Sequence, residues 1–409
     1  MRIIIVTAGC DRHGFSETLV GYRWVSRLSE SHEVTLLNYR RRAESPVAPH
    51  LPGTRVVEWV EPPGLERVER FNTMARPSYP WFLVRARAWI DRAVARGERF
   101  DVGLQPVPVA LRYPSPLTGT GVPYVLGPLG GSLDDPPGFG SEDTSPWFVG
   151  LRRLDDLRLR HDPVLRRSFS QAACVIGIAD YVGDLLGPVP LRRYESMPDT
   201  ALDALPVPEP RPADHEADAP VRLLFVGRVV RTKGVRDAVR AMAHLRDLPV
   251  VLDVVGDGHD REHCEEVARE LGLEGRVVFH GMQSRTEVDR FYRRADVFVF
   301  PSYREAGGTV TFEALGHGLP MIVADRGGPA FAVDDTCGVR VTPTSPEDYA
   351  QQIAAAVRPM VEDPALRRRL SIGARARAEA IGTWDRRIER MESILTDAAA
   401  EGPVARRRG

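Results

Sequence analysis

The sequence predicts an α/β protein made of two doubly wound parallel-sheet domains, and three observations carry that prediction. Short uninterrupted apolar runs alternate with stretches of helical periodicity along nearly the whole chain. A segment rich in Pro, Asp and Glu divides the chain near its middle. The alternation then restarts in the same way, a strand followed by a glycine-bearing loop. An uninterrupted apolar run suits a strand covered on both faces, as parallel strands are.

In the first half, Ile3–Thr7 is such a run, and a loop from Gly9 to Gly14 follows it. Phe15 to Ser31 then sets Leu19, Tyr22, Val25 and Leu28 on one side of a helix. Glu33–Leu37 completes a βαβ unit, whose crossover is right-handed by rule. Further strands are expected at Arg55–Val60, Asp101–Gln105, Tyr124–Leu126 and Cys174–Ile178, with helices over Trp81–Arg96 and Trp147–Arg167. The first domain is expected over residues 1–205 and an exposed linker over 206–220. The second domain, 221–383, is expected to hold strands at Arg222–Val226, Val250–Val255, Val277–His280, Val297–Phe300 and Met321–Ala324. Its helices are expected over Val235–Leu245, Asp260–Leu271, Thr286–Arg294, from Val310 to Gly316, and over Pro346–Glu362 and Pro364–Ile381. Residues 384–409 form a last helix, Trp384–Ala398, able to return to the first domain, and a tail. Doubly wound sheets bind ligands beyond the C-terminal ends of their strands, so a cleft between two such domains is the expected site.

Composition narrows the function. The chain has 409 residues and a net charge of −1, which argues against a nucleic-acid partner. Cys10, Cys174, Cys264 and Cys337 are far apart and form neither a disulfide framework nor a zinc pattern. The opening apolar run is too short for a signal peptide, and no run approaches the roughly 18 residues of a membrane span. A cytoplasmic enzyme is the expectation. Arg85, Arg87, Arg92, Arg96 and Arg99 accompany Trp81, Phe82, Trp89 and Ile90, a pattern that suits a solvated helix with an aromatic core face better than one lying on an anionic membrane. Oligomeric state is not legible. One bias stands out: of the 55 basic residues, all but Lys233 are arginine. A chain that writes arginine elsewhere keeps its one lysine in a glycine-flanked loop, where an ammonium and a guanidinium are not interchangeable.

That loop is the first chemical motif, Gly227-Arg228-x4-Lys233-Gly234, between a strand and a helix. Glycine lets backbone approach a ligand, and two cations near a helix N-terminus suit a diphosphate. Arg228 taken alone reads equally as a surface cation. The second motif is Glu305-Ala306-Gly307-Gly308-Thr309-Val310-Thr311-Phe312-Glu313. Glu305 lies beyond a strand and Glu313 in the next helix, so the two carboxylates can reach one polyhydroxylated ligand from opposite ends of the loop. Gly308 and Thr309 open the helix and offer backbone amides to a phosphate.

With Val255-Gly256-Asp257-Gly258, Phe279-His280-Gly281 and Gly318-Leu319-Pro320 through Gly327-Gly328-Pro329, these motifs resemble family 4 retaining glycosyltransferases of GT-B fold over about residues 221–341. The resemblance implies two Rossmann-like domains facing each other across a cleft. It implies transfer of a sugar from a UDP- or GDP-sugar to an acceptor hydroxyl with retention, needing no cofactor and no metal. Arg228 and Lys233 would hold the diphosphate and Glu305 the donor sugar. Glu313 would bind the ribose. Gly227, Gly308, Thr309 and Val310 would line the donor, with Gly281, Met282 and Gln283 near the base. The first half departs from the family pattern: its early loop reads Gly9-Cys10-Asp11-Arg12-His13-Gly14, and Gly127-Pro128-Leu129-Gly130-Gly131-Ser132 stands where many members carry a histidine. His13, Gly14, Gly130 and Gly131 are the acceptor-side candidates. A GT-B epimerase or phosphorylase, or a silent nucleotide-binding scaffold, would share the donor motifs. A dinucleotide oxidoreductase is disfavoured, since the first loop lacks Gly-x-Gly-x-x-Gly.

Overall fold

Each half of the chain winds about its own parallel sheet. The structure, a computed structural model, describes residues 1–14, 17–64, 76, 78–131, 133–139, 153–207 and 219–402. Its chain divides into two units: Met1–Ser132 with Trp147–Asp199 and Arg387–Gly409, and Leu133–Pro146 with Thr200–Arg386.

The first unit's sheet comprises β1 (Arg2–Thr7), β2 (Glu33–Arg40), β3 (Arg55–Val60), β4 (Val102–Val107), β5 (Tyr124–Leu129), β6 (Cys174–Gly177) and β7 (Tyr194–Ser196). Their order is β3-β2-β1-β4-β5-β6-β7, every neighbour parallel. Ile3, Ile4, Ile5 and Leu104 are wholly buried, as central parallel strands require. Around it lie α1 (Glu17–Leu28), α2 (Tyr79–Ala95), α3 (Arg153–His161), α4 (Pro163–Gln171) and α5 (Tyr181–Leu185). The single helix expected over Trp147–Arg167 is corrected. Within the described residues the chain breaks at Asp162, whose carboxylate accepts from the amides of Val164 and Leu165 and caps α4, with Pro163 in its first turn. Residues 147–152 lie outside the described residues, as does most of the linker, 208–218.

The second unit repeats the winding. β8 (Val221–Val226), β9 (Val250–Val255), β10 (Val277–Gly281), β11 (Val297–Phe300), β12 (Met321–Ala324) and β13 (Gly338–Val341) are ordered β10-β9-β8-β11-β12-β13, again all parallel. Both sheets show the order of a dinucleotide-binding fold, with the winding reversing between β1 and β4 and between β8 and β11. The helices are α6 (Val235–Ala243), α7 (Arg261–Glu270), α8 (Arg285–Arg294), α9 (Thr309–Gly316), α10 (Gly327–Ala332), α11 (Pro346–Glu362) and α12 (Pro364–Ile381). The last helix, α13 (Trp384–Glu401), starts in the second unit, and from Arg387 onward its residues belong to the first. There Arg193 and Arg192 bond Asp397 and Glu401, at 2.8 and 2.7 Å. Sequence periodicity finds neither β7, β13 nor α10. Leu133–Phe139, read with the first half, packs in the second unit: Phe139 is fully buried 4.6 Å from the Tyr303 ring, and Arg304 donates to Asp135 at 3.0 Å. Among the described residues no helix is long and apolar enough to cross a membrane, and all four cysteines are buried and free of disulfides.

Candidate functional site

The two chemical motifs leave the C-terminal ends of β8 and β11, adjacent strands at the point where the winding reverses. Gly227 directly follows β8, with φ +155°. The loop then makes one 3-10 turn, Arg231–Lys233, and Gly234 (φ +75°) starts α6. A side chain at Gly234 would strike the Pro301 carbonyl, so glycine is what lets the β8 loop lie against the β11 loop. Gly256 serves the same end from β9, since a side chain there would meet the Gly227 carbonyl.

This close approach brings Lys233 and Glu305 together. The ammonium is bonded to Glu305 Oε2, and the two side chains are 11 % and 20 % exposed. Lys233 Nζ also stands 5.8 Å over the Phe300 ring. Arg228 is exposed on the same loop, and its guanidinium has no carboxylate partner among the described residues. The intervening cation serves the fold instead. Arg231 forms a two-pronged pair with Asp237 at 2.6 and 3.1 Å, both buried, under Phe139 and Tyr303. The motif therefore holds three cations, of which one is structural.

Gly308 (φ +82°) turns the chain into α9, one residue earlier than the sequence places it. No side chain caps this helix, so first-turn amides at Thr309 and Val310 face outward from its positive end. Thr309 Oγ1 lies 3.2 Å from Thr200 Oγ1, and Val310 packs against the core. Gly327 and Gly328 close under this loop: the Gly328 amide donates to the Glu305 carbonyl at 3.1 Å, and a side chain at Gly327 would land on that oxygen. Glu305 is thus held from below through its backbone and from the side by Lys233.

Glu313, in the middle of α9, borders a cavity of about 350 Å³ that also touches Val226, Gln283, Arg285, Asp289, Tyr292 and His317. Tyr292 Oη donates to Glu313 Oε2 at 3.0 Å, and the exposed Arg285 approaches Oε1 at 3.4 Å. Burial, and then the Glu313 charge, hold the Tyr292 phenol well above its ordinary pKa, so it is a neutral donor. The two carboxylates of the second motif thus have separate partners. Gly281 (φ +67°) ends β10 and accepts from the Gly256 amide at 2.9 Å; Met282 beyond it is 76 % exposed, and Gln283 bonds the His280 carbonyl. Sequence reasoning does not single out Tyr292 or His317. His317 follows Glu313 by one helical turn, a spacing that could have flagged it.

In the first unit the candidates stand on two loops. The His13 amide donates to Asp11 Oδ1 at 3.0 Å and its ring meets His50 edge-on at 5.6 Å. Gly14 lies against Thr18. Gly130 donates to the Val109 carbonyl at 2.7 Å, and Gly131 (φ +92°) exchanges bonds with the Tyr181 hydroxyl at 3.2 and 3.1 Å.

This architecture is the GT-B fold. Sucrose-phosphate synthase from Thermosynechococcus elongatus superposes with a TM-score of 0.61 at 20 % identity, covering 98 % of this chain and 99 % of that one. The Anabaena protein HepE, solved in complex with UDP, gives 0.62 at 16 % identity over 97 % and 100 %. Residues 209–377 match the family described as glycosyl transferases group 1. D-inositol 3-phosphate glycosyltransferase of Streptomyces bingchenggensis (strain BCW-1) is 34 % identical over 209 residues, 46 % of this chain and 45 % of that protein. The chain spans about half the length of the curated relatives it matches.

Proposed function

We propose that the protein transfers a sugar from a nucleotide diphosphate sugar, UDP- or GDP-linked, to an acceptor hydroxyl, retaining the anomeric configuration and using no metal. The observation that carries this reading is the meeting of Lys233 and Glu305 across the β8–β11 switch point, beside the uncapped start of α9. A donor diphosphate bound there would lie against Lys233, Arg228 and the amides of Thr309 and Val310. As the bond from the anomeric carbon to the phosphate oxygen breaks, charge builds on that oxygen, where preorganised donors act most strongly. The acceptor oxygen bonds to the anomeric carbon, and its proton passes to the departing phosphate, which leaves as the nucleoside diphosphate. Glu305 keeps Oε1 for a sugar hydroxyl while Oε2 holds Lys233. Glu313, at the edge of its cavity, takes the ribose. Group 1 similarity over residues 209–377 and the UDP seen in HepE support the same reading.

The test is a panel of nucleotide sugars offered to the purified full chain, with products read by mass spectrometry and anomeric configuration by NMR. Release of nucleoside diphosphate together with a retained glycoside is expected. Tight nucleoside diphosphate binding without transfer to any acceptor would make the protein a scaffold instead.

A further inference from the structure

The side chains behind Glu313 form a connected set that the proposed reaction does not yet use. Tyr292 is 2 % exposed, and its hydroxyl donates to Glu313 Oε2 at 3.0 Å. The His317 ring stacks on Tyr292, centroids 5.1 Å apart and planes within 10°. His317 Nε2 in turn lies 3.2 Å from Asp289 Oδ1, on the same helix as Tyr292. Tyr292 and Asp289 come from α8, Glu313 from α9 and His317 from the residue that caps its C-terminal end, so two bonds and one stack lock the two helices in a single register. All four side chains border the cavity into which Glu313 faces.

A carboxylate in the middle of a helix has several rotamers, and binding a diol through it would cost the entropy of choosing one. Here the choice is already made. We propose that Tyr292 and His317 are positioning residues for nucleotide recognition: Tyr292 fixes one oxygen of Glu313 so that the other meets the ribose hydroxyls, and His317 holds the Tyr292 ring in place. The inference rests on the reading of Glu313 as the ribose ligand. It adds a discrimination to that reading, since a carboxylate held in one orientation favours a nucleotide that carries a 2′,3′-diol.

Calorimetric titration of the full chain with UDP and GDP, and then with the 2′,3′-dideoxy analogue of whichever binds tighter, tests this. Tyr292→Phe keeps the ring and its stack, so the fold should survive. It should weaken binding of the ribonucleotide about tenfold, the effect of one hydrogen bond to a charged group, and leave dideoxy binding unchanged. His317→Phe, which retains a stacking ring, should lose less than His317→Ala. Both should raise the donor KM with little change in kcat. A Tyr292→Phe penalty equally large for the dideoxy analogue would overturn the positioning role. So would full affinity in Tyr292→Phe beside a large loss in Glu313→Ala, with the ribose reading intact. Unchanged affinity in Glu313→Ala would instead sink the ribose reading, and this proposal with it.

Discussion

The two units share a strand order but not the behaviour of their loops. In the second, the loops after β8 and β12 approach the loop after β11 so closely that glycine is required at Gly234 and Gly327, and the first of these approaches joins Lys233 to Glu305. In the first, the loop after β1 binds within itself, His13 to Asp11, and the loop after β5 binds Tyr181. Under the proposed function, the difference follows from what each loop would recognise. A diphosphate and a ribose are constant features, and they impose cations, bare amides and a carboxylate at set spacings. An acceptor varies from one enzyme to another on a shared scaffold, so it imposes no common pattern.

The strongest way to break this contrast is to remove the second unit's ammonium. Lys233→Ala should lower kcat by roughly 10²–10³, the usual effect of deleting one preorganised donor at a charge-developing atom. Turnover near wild type in a nucleotide-sugar assay would remove the clamp from the mechanism. A neighbouring substitution should behave differently. Asp237→Ala strands the buried Arg231 and should cost about 3 kcal/mol of folding stability, read from denaturant unfolding, while folded protein keeps its nucleoside diphosphate affinity. Should affinity fall as far as stability, Arg231 belongs to the binding site and the division of the three cations is wrong.

Lys233→Arg sharpens the same point at a smaller scale. The ammonium fits a mostly covered space between Glu305 and the Phe300 ring. A guanidinium is planar and wider, so a loss of about tenfold in kcat is expected although charge is conserved. Equal turnover would mean that the survival of this lysine among arginines carries no chemical meaning.

How much of this was legible depends on whether a feature demands one residue type. Gly234 and Gly308 do through their backbone, and Lys233 and Glu313 do under the proposed function; the sequence announces all four with their strand–loop–helix context. Asp162-Pro163 was equally readable as a cap and a first-turn proline, yet the periodicity on either side masked the break between α3 and α4. β7 and β13, of three and four residues, are too short for a pattern to form. Tyr292 reads as an ordinary core aromatic, because its phenol matters only through a partner on another helix. The packing of Phe139 among second-unit aromatics is a tertiary fact that no local signal encodes.

The smallest expected effect tests the other side of the contrast. If the first unit's loops serve the acceptor, altering them should not touch donor binding at all. His13→Ala removes an imidazole whose ring meets that of His50 and leaves the amide bond to Asp11 in place. Nucleoside diphosphate affinity should then change by less than about twofold, within the range of ordinary surface substitutions. The informative quantity is the ratio of KM values: a rise for the acceptor with none for the nucleotide sugar would place this loop at the acceptor, and equal KM values throughout would retire His13 as a candidate. A rise for the nucleotide sugar would be the damaging result. It would mean that the β1 loop senses the donor and that the two units do not divide the substrates between them.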